Sequence, residues 1–186
     1  MGMWVFGYGS LLWRPGFAFT KTKLVRLDGF RRSFCMSSIH HRGTRENPGL
    51  VLALDAAKGF SCNGVAFHVE DVQTQATLNY LRDRELISSA YLEAEVKVND
   101  LDGLQFMAIT YIIDQAHEQY CVDLALAEQA NIIANAIGEM GHNADYLFNT
   151  VAQLKKLKLK DPELEWLETQ VRRILDAKKS ARGYKF

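Results

Sequence analysis

The sequence predicts an α+β fold, and three observations carry that expectation. The first seventy residues hold short apolar segments broken by glycine and proline; a helical period begins near residue 71 before strand composition returns; from Leu126 onward the apolar spacing is helical. In chain order the early strands are Trp4 to Phe6, Lys23 to Leu27, Arg31 to Ser37, Leu50 to Leu54 and Cys62 to His68, punctuated by Gly16, Gly29, Gly43, Pro48-Gly49 and Gly59. They describe a sheet or one half of a barrel. Asp71 is a cap for a helix that carries Val72, Leu78 and Leu81 to about Arg84. Leu92 to Val98 and Gln105 to Ile113, split by Asn99-Asp100 and Asp102-Gly103, pair as a hairpin.

The helical end divides into three. Leu126, Ala130, Ile133 and Ile137 share one face of a helix that breaks around Gly138 to Gly141. Asn143 is the cap of a second helix turning Leu147, Val151, Leu154 and Leu157 inward. Asp161-Pro162 reads as cap and first-turn proline of a third, whose stripe of Leu164, Leu167, Val171, Ile174 and Leu175 suits a core or a subunit contact. Lys178 to Phe186 reads as a solvated tail. The expectation is one domain over residues 1–186, with a C-terminal helical extension from about 158 to 186.

Composition narrows the partners. Lysine plus arginine and aspartate plus glutamate stand at 22 each, so no overall field draws the chain to nucleic acid or an anionic membrane, and a small molecule is expected instead. No run of residues reaches the length of a membrane span, and the start lacks the basic and apolar pattern of an export signal, which points to the cytoplasm. Cys35, Cys62 and Cys121 are odd in number and widely spaced, without a Cys-x-x-Cys pair or ligand-spaced histidines. They read as ordinary thiols, and no metal is expected. Oligomeric state is left open.

The richest motif is Trp4-Val5-Phe6-Gly7-Tyr8-Gly9-Ser10-Leu11-Leu12-Trp13, a strand that runs into a glycine turn. Such a turn can take positive φ and direct N–H groups at a carboxylate, a phosphate or a developing oxyanion. It departs from the dinucleotide fingerprint, because Leu12 occupies the third glycine position and Pro15-Gly16 interrupt any following helix. It departs from the Walker loop too, having Leu12-Trp13-Arg14 where Gly-Lys-Ser/Thr belongs. The plainer alternative is a tight bend in a barrel.

Glu85 stands where a helix should end and an apolar connection begin. The negative end of the helix dipole and burial among Leu86, Ile87 and Tyr91 would raise its pKa, whereas Arg82 and Arg84 would lower it if close. Raised, it could serve as base and then acid; otherwise it is an exposed, salt-bridged glutamate. His40 and His41 point to opposite sides of an extended chain and make a poor metal pair. Arg42 could grip a substrate carboxylate or pair with Glu46. Ser10 lacks the Gly-x-Ser-x-Gly elbow of a serine nucleophile.

Taken together, Val5 to Trp13, His41-Arg42-Gly43, Pro48 to Leu54, Arg84 to Tyr91 and Gly141 to Leu147 closely resemble the ChaC family of γ-glutamylcyclotransferases, in the same order and over about residues 3 to 150. The resemblance implies a small mixed β-barrel with packed helices, γ-glutamylcyclotransferase-like, and cleavage of glutathione to 5-oxoproline and cysteinylglycine without metal or organic cofactor. By position it assigns Glu85 as acid/base and puts the γ-glutamyl end of the substrate against Phe6, Gly7, Tyr8, Gly9, Ser10 and Leu11. Arg42 and Tyr91 are candidates for the cysteinylglycine half. Asn143, Asp145, Tyr146 and Leu147 match a further family pattern, with Tyr146 a candidate substrate contact. Some relatives carry arginine and glutamate where Ala144 and Asp145 stand.

The chemistry fits these residues. The α-amine of a γ-glutamyl amide lies a five-membered ring away from the γ-carbonyl, so no enzymic nucleophile is needed. One carboxylate can take a proton from the ammonium and return it to the departing amine. Two alternatives remain at this level: a cyclotransferase for other γ-glutamyl amino acids or γ-glutamylamines, and a non-catalytic binding module in which Glu85 pairs with the ligand ammonium.

Overall fold

A computed structural model describes residues 2–122 and 124–183. The strands are β1 (Met3–Gly7), β2 (Lys21–Ser38), β3 (Gly49–Val69), β4 (Tyr91–Asp100), β5 (Gln105–Ile113), β6 (Ile137–Gly138) and β7 (Gly141–His142). The helices are α1 (Asp71–Glu85), α2 (Leu126–Asn135), α3 (Asn143–Lys156) and α4 (Pro162–Gly183), and a 3₁₀ turn spans Ser10–Leu12. The first five strands close a barrel in the order β1-β3-β2-β4-β5. It is mixed: β1 runs antiparallel to β3, with Phe6 opposite Ala66, and parallel to β5, with Val5 opposite Ile109. The α+β class and the barrel agree with the sequence expectation.

Two early strand pairs of the sequence reading are in fact single long strands. Gly29 and Gly59, taken as turns, lie inside β2 and β3 with φ of +83° and +87°. Nothing lies within 4 Å of a Cβ built on either, so each glycine serves a left-handed backbone step that lets a long strand bend without ending. The β4–β5 hairpin forms as expected, with Leu92 opposite Ile112 and Asn99 opposite Gln105. Its turn is held by Asp100, whose carboxylate accepts from the N–H groups of Asp102 and Leu104.

The chain forms two compact units. The first comprises residues 2–33 and 52–120. Its barrel core gathers Phe6, Tyr8, Leu27, Leu54, Cys62, Ala66, Val98 and Ala108, an alternation of inward side chains from every strand. Among the described residues the second comprises 34–51, 121–122 and 124–183. There α2, α3 and α4 pack on one another and bury Ile133, Leu147, Val151, Leu154, Leu164, Leu167 and Val171. The stripe on α4 is therefore core.

Several local expectations need correction. Glu70, not Asp71, is the cap of α1, and Val72 is 85 % exposed while Thr77 is buried in its place. α2 stops at Asn135, so Ile137 sits exposed in β6 rather than on the helix face. His142, not Asn143, caps α3; the Asn143 side chain turns away to accept from the Leu50 N–H and donate to the Leu50 carbonyl, both at 2.7 Å. The Asp161 cap holds, its carboxylate accepting from the Leu164 N–H. The tail is solvated as expected, with Lys179, Ser180 and Ala181 exposed, and it continues α4 to Gly183, with Lys178 donating to the Ala134 carbonyl; Tyr184 and Phe186 lie outside the described residues.

Candidate active site

The first unit assembles a site from the end of β1 and the end of α1. β1 delivers Gly7, Tyr8 and Gly9 into the 3₁₀ turn, where the Leu12 N–H donates to the Gly9 carbonyl at 3.0 Å. Positive φ falls elsewhere, so the expectation of left-handed glycines at 7 and 9 is corrected. The glycine at 7 answers a packing demand instead. A Cβ there would stand 3.0 Å from both Leu11 Cβ and a Phe67 ring carbon. Two polar contacts fix the intervening residue: the Tyr8 hydroxyl donates to the Tyr111 carbonyl at 2.9 Å and the Tyr8 carbonyl accepts from Arg32 Nε at 2.6 Å. Phe6 is wholly buried, and its carbonyl accepts from the Thr110 hydroxyl. Leu11 is buried as well, which leaves Ser10 as the polar side chain of the turn.

Arg84 joins this loop to the carboxyl. Its guanidinium donates to the Ser10 hydroxyl at 2.8 Å, the Arg14 carbonyl at 2.7 Å, the Pro15 carbonyl at 3.1 Å and the Tyr80 hydroxyl at 2.9 Å. The same group lies 3.1 Å from a carboxylate oxygen of Glu85. A planar fork with several N–H vectors is what lets one side chain hold so many acceptors. Glu85 ends α1, with 18 % of its side chain exposed. Burial raises its pKa and the Arg84 charge opposes this without cancelling it, so the carboxyl is held above the ordinary glutamate range. Ile87, expected to bury it, is itself 60 % exposed.

Arg82, the other cation considered, is engaged elsewhere. It grips Glu93 through two bonds of 2.7 and 2.6 Å, which keeps the Glu93 carboxyl below its ordinary range. Glu93 faces Tyr111 across the hairpin and accepts from its hydroxyl at 3.0 Å. Sequence reasoning missed Glu93 and Tyr111 as neighbours of the site. Their pairing was within reach, because the register follows by counting back from the turn at Asp100 to Leu104.

The remaining candidates are placed as follows. The Tyr91 hydroxyl donates to the Leu52 carbonyl at 2.8 Å within the first unit. Arg42 and Tyr146 belong to the second unit and meet there, the guanidinium 5.6 Å from the ring centroid. Arg42 is buried and donates to the carbonyls of Met140 and His142. Tyr146 is buried edge-on against Phe34. Among the described residues no three His, Cys, Asp or Glu side chains converge in a metal-holding cluster, and no helix is long and apolar enough to cross a membrane.

A closed barrel with a glycine loop beside a desolvated carboxyl is the γ-glutamylcyclotransferase fold. The crystal structure of the yeast γ-glutamyl cyclotransferase specific to glutathione superposes with a TM-score of 0.85 over 92 % of this chain and 96 % of that one, at 24 % identity. The family model described as ChaC-like protein matches residues 3–174, and the chain belongs to that family. Its relatives include the glutathione-specific γ-glutamylcyclotransferase of Escherichia coli K12, 36 % identical over 93 % of this chain and 74 % of that protein. γ-Glutamylcyclotransferase 2-3 of Arabidopsis thaliana is 35 % identical over 94 % of this chain and 91 % of its own length.

Proposed function

We propose that this protein cleaves glutathione by cyclising its γ-glutamyl group, releasing 5-oxoproline and L-cysteinylglycine, with Glu85 as the acid/base. The observation that carries this reading is the Arg84 bridge, which ties the Ser10 hydroxyl and a carboxylate oxygen of Glu85 to one guanidinium. The glycine loop and the titrating group thus share one anchor. The names of the relatives above support the choice of glutathione.

In this reading the loop from Phe6 to Leu11 holds the γ-glutamyl moiety. N–H groups opening the 3₁₀ turn have no carbonyl partner inside it, and the Ser10 hydroxyl, an acceptor from Arg84, keeps its own proton to donate. Glu85 takes a proton from the α-ammonium; the freed amine attacks the γ-carbonyl, and the bond from that carbon to the cysteinyl nitrogen breaks. Two protons leave the attacking nitrogen and two reach the departing one, so the reaction consumes none. Folding the glutamyl chain into its ring-closing shape supplies much of the rate, since oriented intramolecular reactions reach effective molarities on the order of 10⁵ M or more. Held above the ordinary glutamate range by burial, the carboxyl is a stronger base than a free glutamate for accepting the proton and remains an acid that can return it.

The test is mass detection of 5-oxoproline and cysteinylglycine after incubating pure, chelator-treated protein with reduced glutathione, with γ-glutamylalanine run in parallel. Glu85→Gln keeps the shape and removes the proton carrier, and should lower kcat by about 10²- to 10⁴-fold. Undiminished product from that variant removes Glu85 from the mechanism, and faster turnover of γ-glutamylalanine moves the substrate away from glutathione.

A further inference from the structure

We propose that Glu93 is a positioning residue that holds Arg82 off the reactive carboxyl of Glu85. The inference rests on the acid/base role just assigned to Glu85. Arg82 and Glu85 are three apart in the last turn of α1, the spacing at which helical side chains are neighbours. Left to itself, Arg82 would find Glu85. Instead both ends of its fork are taken by Glu93, with Nε donating to Oε2 at 2.7 Å and Nη2 to Oε1 at 2.6 Å.

Glu93 does not ride on α1. It is fixed on β4 directly opposite Tyr111 of β5, whose hydroxyl donates to Oε2 at 3.0 Å. Tyr111 is in turn 2 % exposed, and its carbonyl receives the Tyr8 hydroxyl of the glycine loop. The hairpin therefore sets where Arg82 points. The Arg82 and Glu93 side chains keep 45 % and 24 % of their surface exposed. So open a pair adds little to stability, and its consequence lies in where it leaves the arginine charge. Among the described residues the groups that bear on Glu85 are then Arg84 from its own helix, at 3.1 Å, and Tyr111 from β5. The Tyr111 phenol, pushed up by burial first and by Glu93 next, stays neutral throughout the working range. With Arg82 sequestered, burial outweighs the single guanidinium on Glu85.

The experiment compares the pH dependence of kcat/KM for wild type, Glu93→Gln, Arg82→Met and the double variant, with folding checked by circular dichroism. In Glu93→Gln the released Arg82 turns onto Glu85 and moves the acid limb down by about one pH unit. Removing Arg82 as well restores the wild-type limb. Arg82→Met alone leaves the limb near its wild-type position, because an arginine already held by Glu93 does not bear on Glu85. A limb unmoved in Glu93→Gln overturns the proposal; so does a shift that persists in the double variant, because loss of the α1–β4 tie would then suffice. If Glu93→Gln does not fold, Arg82→Met decides, and a limb that rises counts against the inference, because Arg82 would then already be acting on Glu85 in the wild type. The ¹³C resonance of the Glu85 carboxyl reads the same shifts without turnover, so a wild type that forms no 5-oxoproline strikes the proposed function separately.

Discussion

Replacing Arg84 by methionine removes the bridge between the glycine loop and α1 while keeping the length and apolar stem of the side chain. Four hydrogen bonds go, to the Ser10 hydroxyl, the Arg14 and Pro15 carbonyls and the Tyr80 hydroxyl, together with the Glu85 ion pair. A hydrogen bond to a charged group contributes about 1.5–3 kcal/mol, but these share one guanidinium and Arg14 is exposed, so its carbonyl can turn to water. The expected loss is about 2–4 kcal/mol, read as a lower urea midpoint at unchanged slope. Glu85, freed of its counter-charge, titrates higher still, so the acid limb of kcat/KM moves up. Arg84→Lys separates the two tasks. Lysine keeps the charge beside Glu85 and cannot span all the loop acceptors, so the limb stays near its wild-type position while KM rises. A methionine variant with wild-type stability and an unmoved limb would refute the bridge as the anchor of this site.

Three further outcomes are expected. Because burial raises the folded-state pKa of Glu85, the folded protein binds the extra proton and loses stability as pH rises through that pKa; below the ordinary glutamate range both states are protonated and the cost vanishes. Glu85→Gln should therefore melt higher than wild type around pH 8 and match it around pH 4, and scanning calorimetry across that range showing no divergence would contradict the desolvation argument. Asn143→Ala leaves the Leu50 N–H and carbonyl without their side-chain partner in a wholly buried place, which should cost about 2–5 kcal/mol by urea titration. Gly59→Ala meets no steric obstacle, so its expected loss of about 1–2 kcal/mol comes from the left-handed backbone alone.

The elements differ in how legible they were. Local signals sufficed where an element is decided locally: the hairpin turn, the Asp161 cap, the α4 stripe and the placing of Glu85 at a helix end all follow from spacing and capping within a few residues. Glycine misled where its use depends on the partner strand. Gly29 and Gly59 are indistinguishable from turn residues until a neighbouring strand shows that the ladder continues past them. Asn143 misled for the same kind of reason. A capping residue type precedes an apolar run, yet its best partner is the backbone of Leu50, distant in the chain.

By itself the sequence determined which chemistry is available: a glycine loop after the first strand, one glutamate at the close of a helix, and a motif order shared with the ChaC-like family. Only the tertiary structure decided what that glutamate experiences. Arg82 and Arg84 are equivalent on paper, two cations in the same helical turn. The fold gives one to Glu93 and the other to the loop and Glu85. Proton affinity depends on distances of a few ångströms and on lost water, and both are set by elements far apart in the chain.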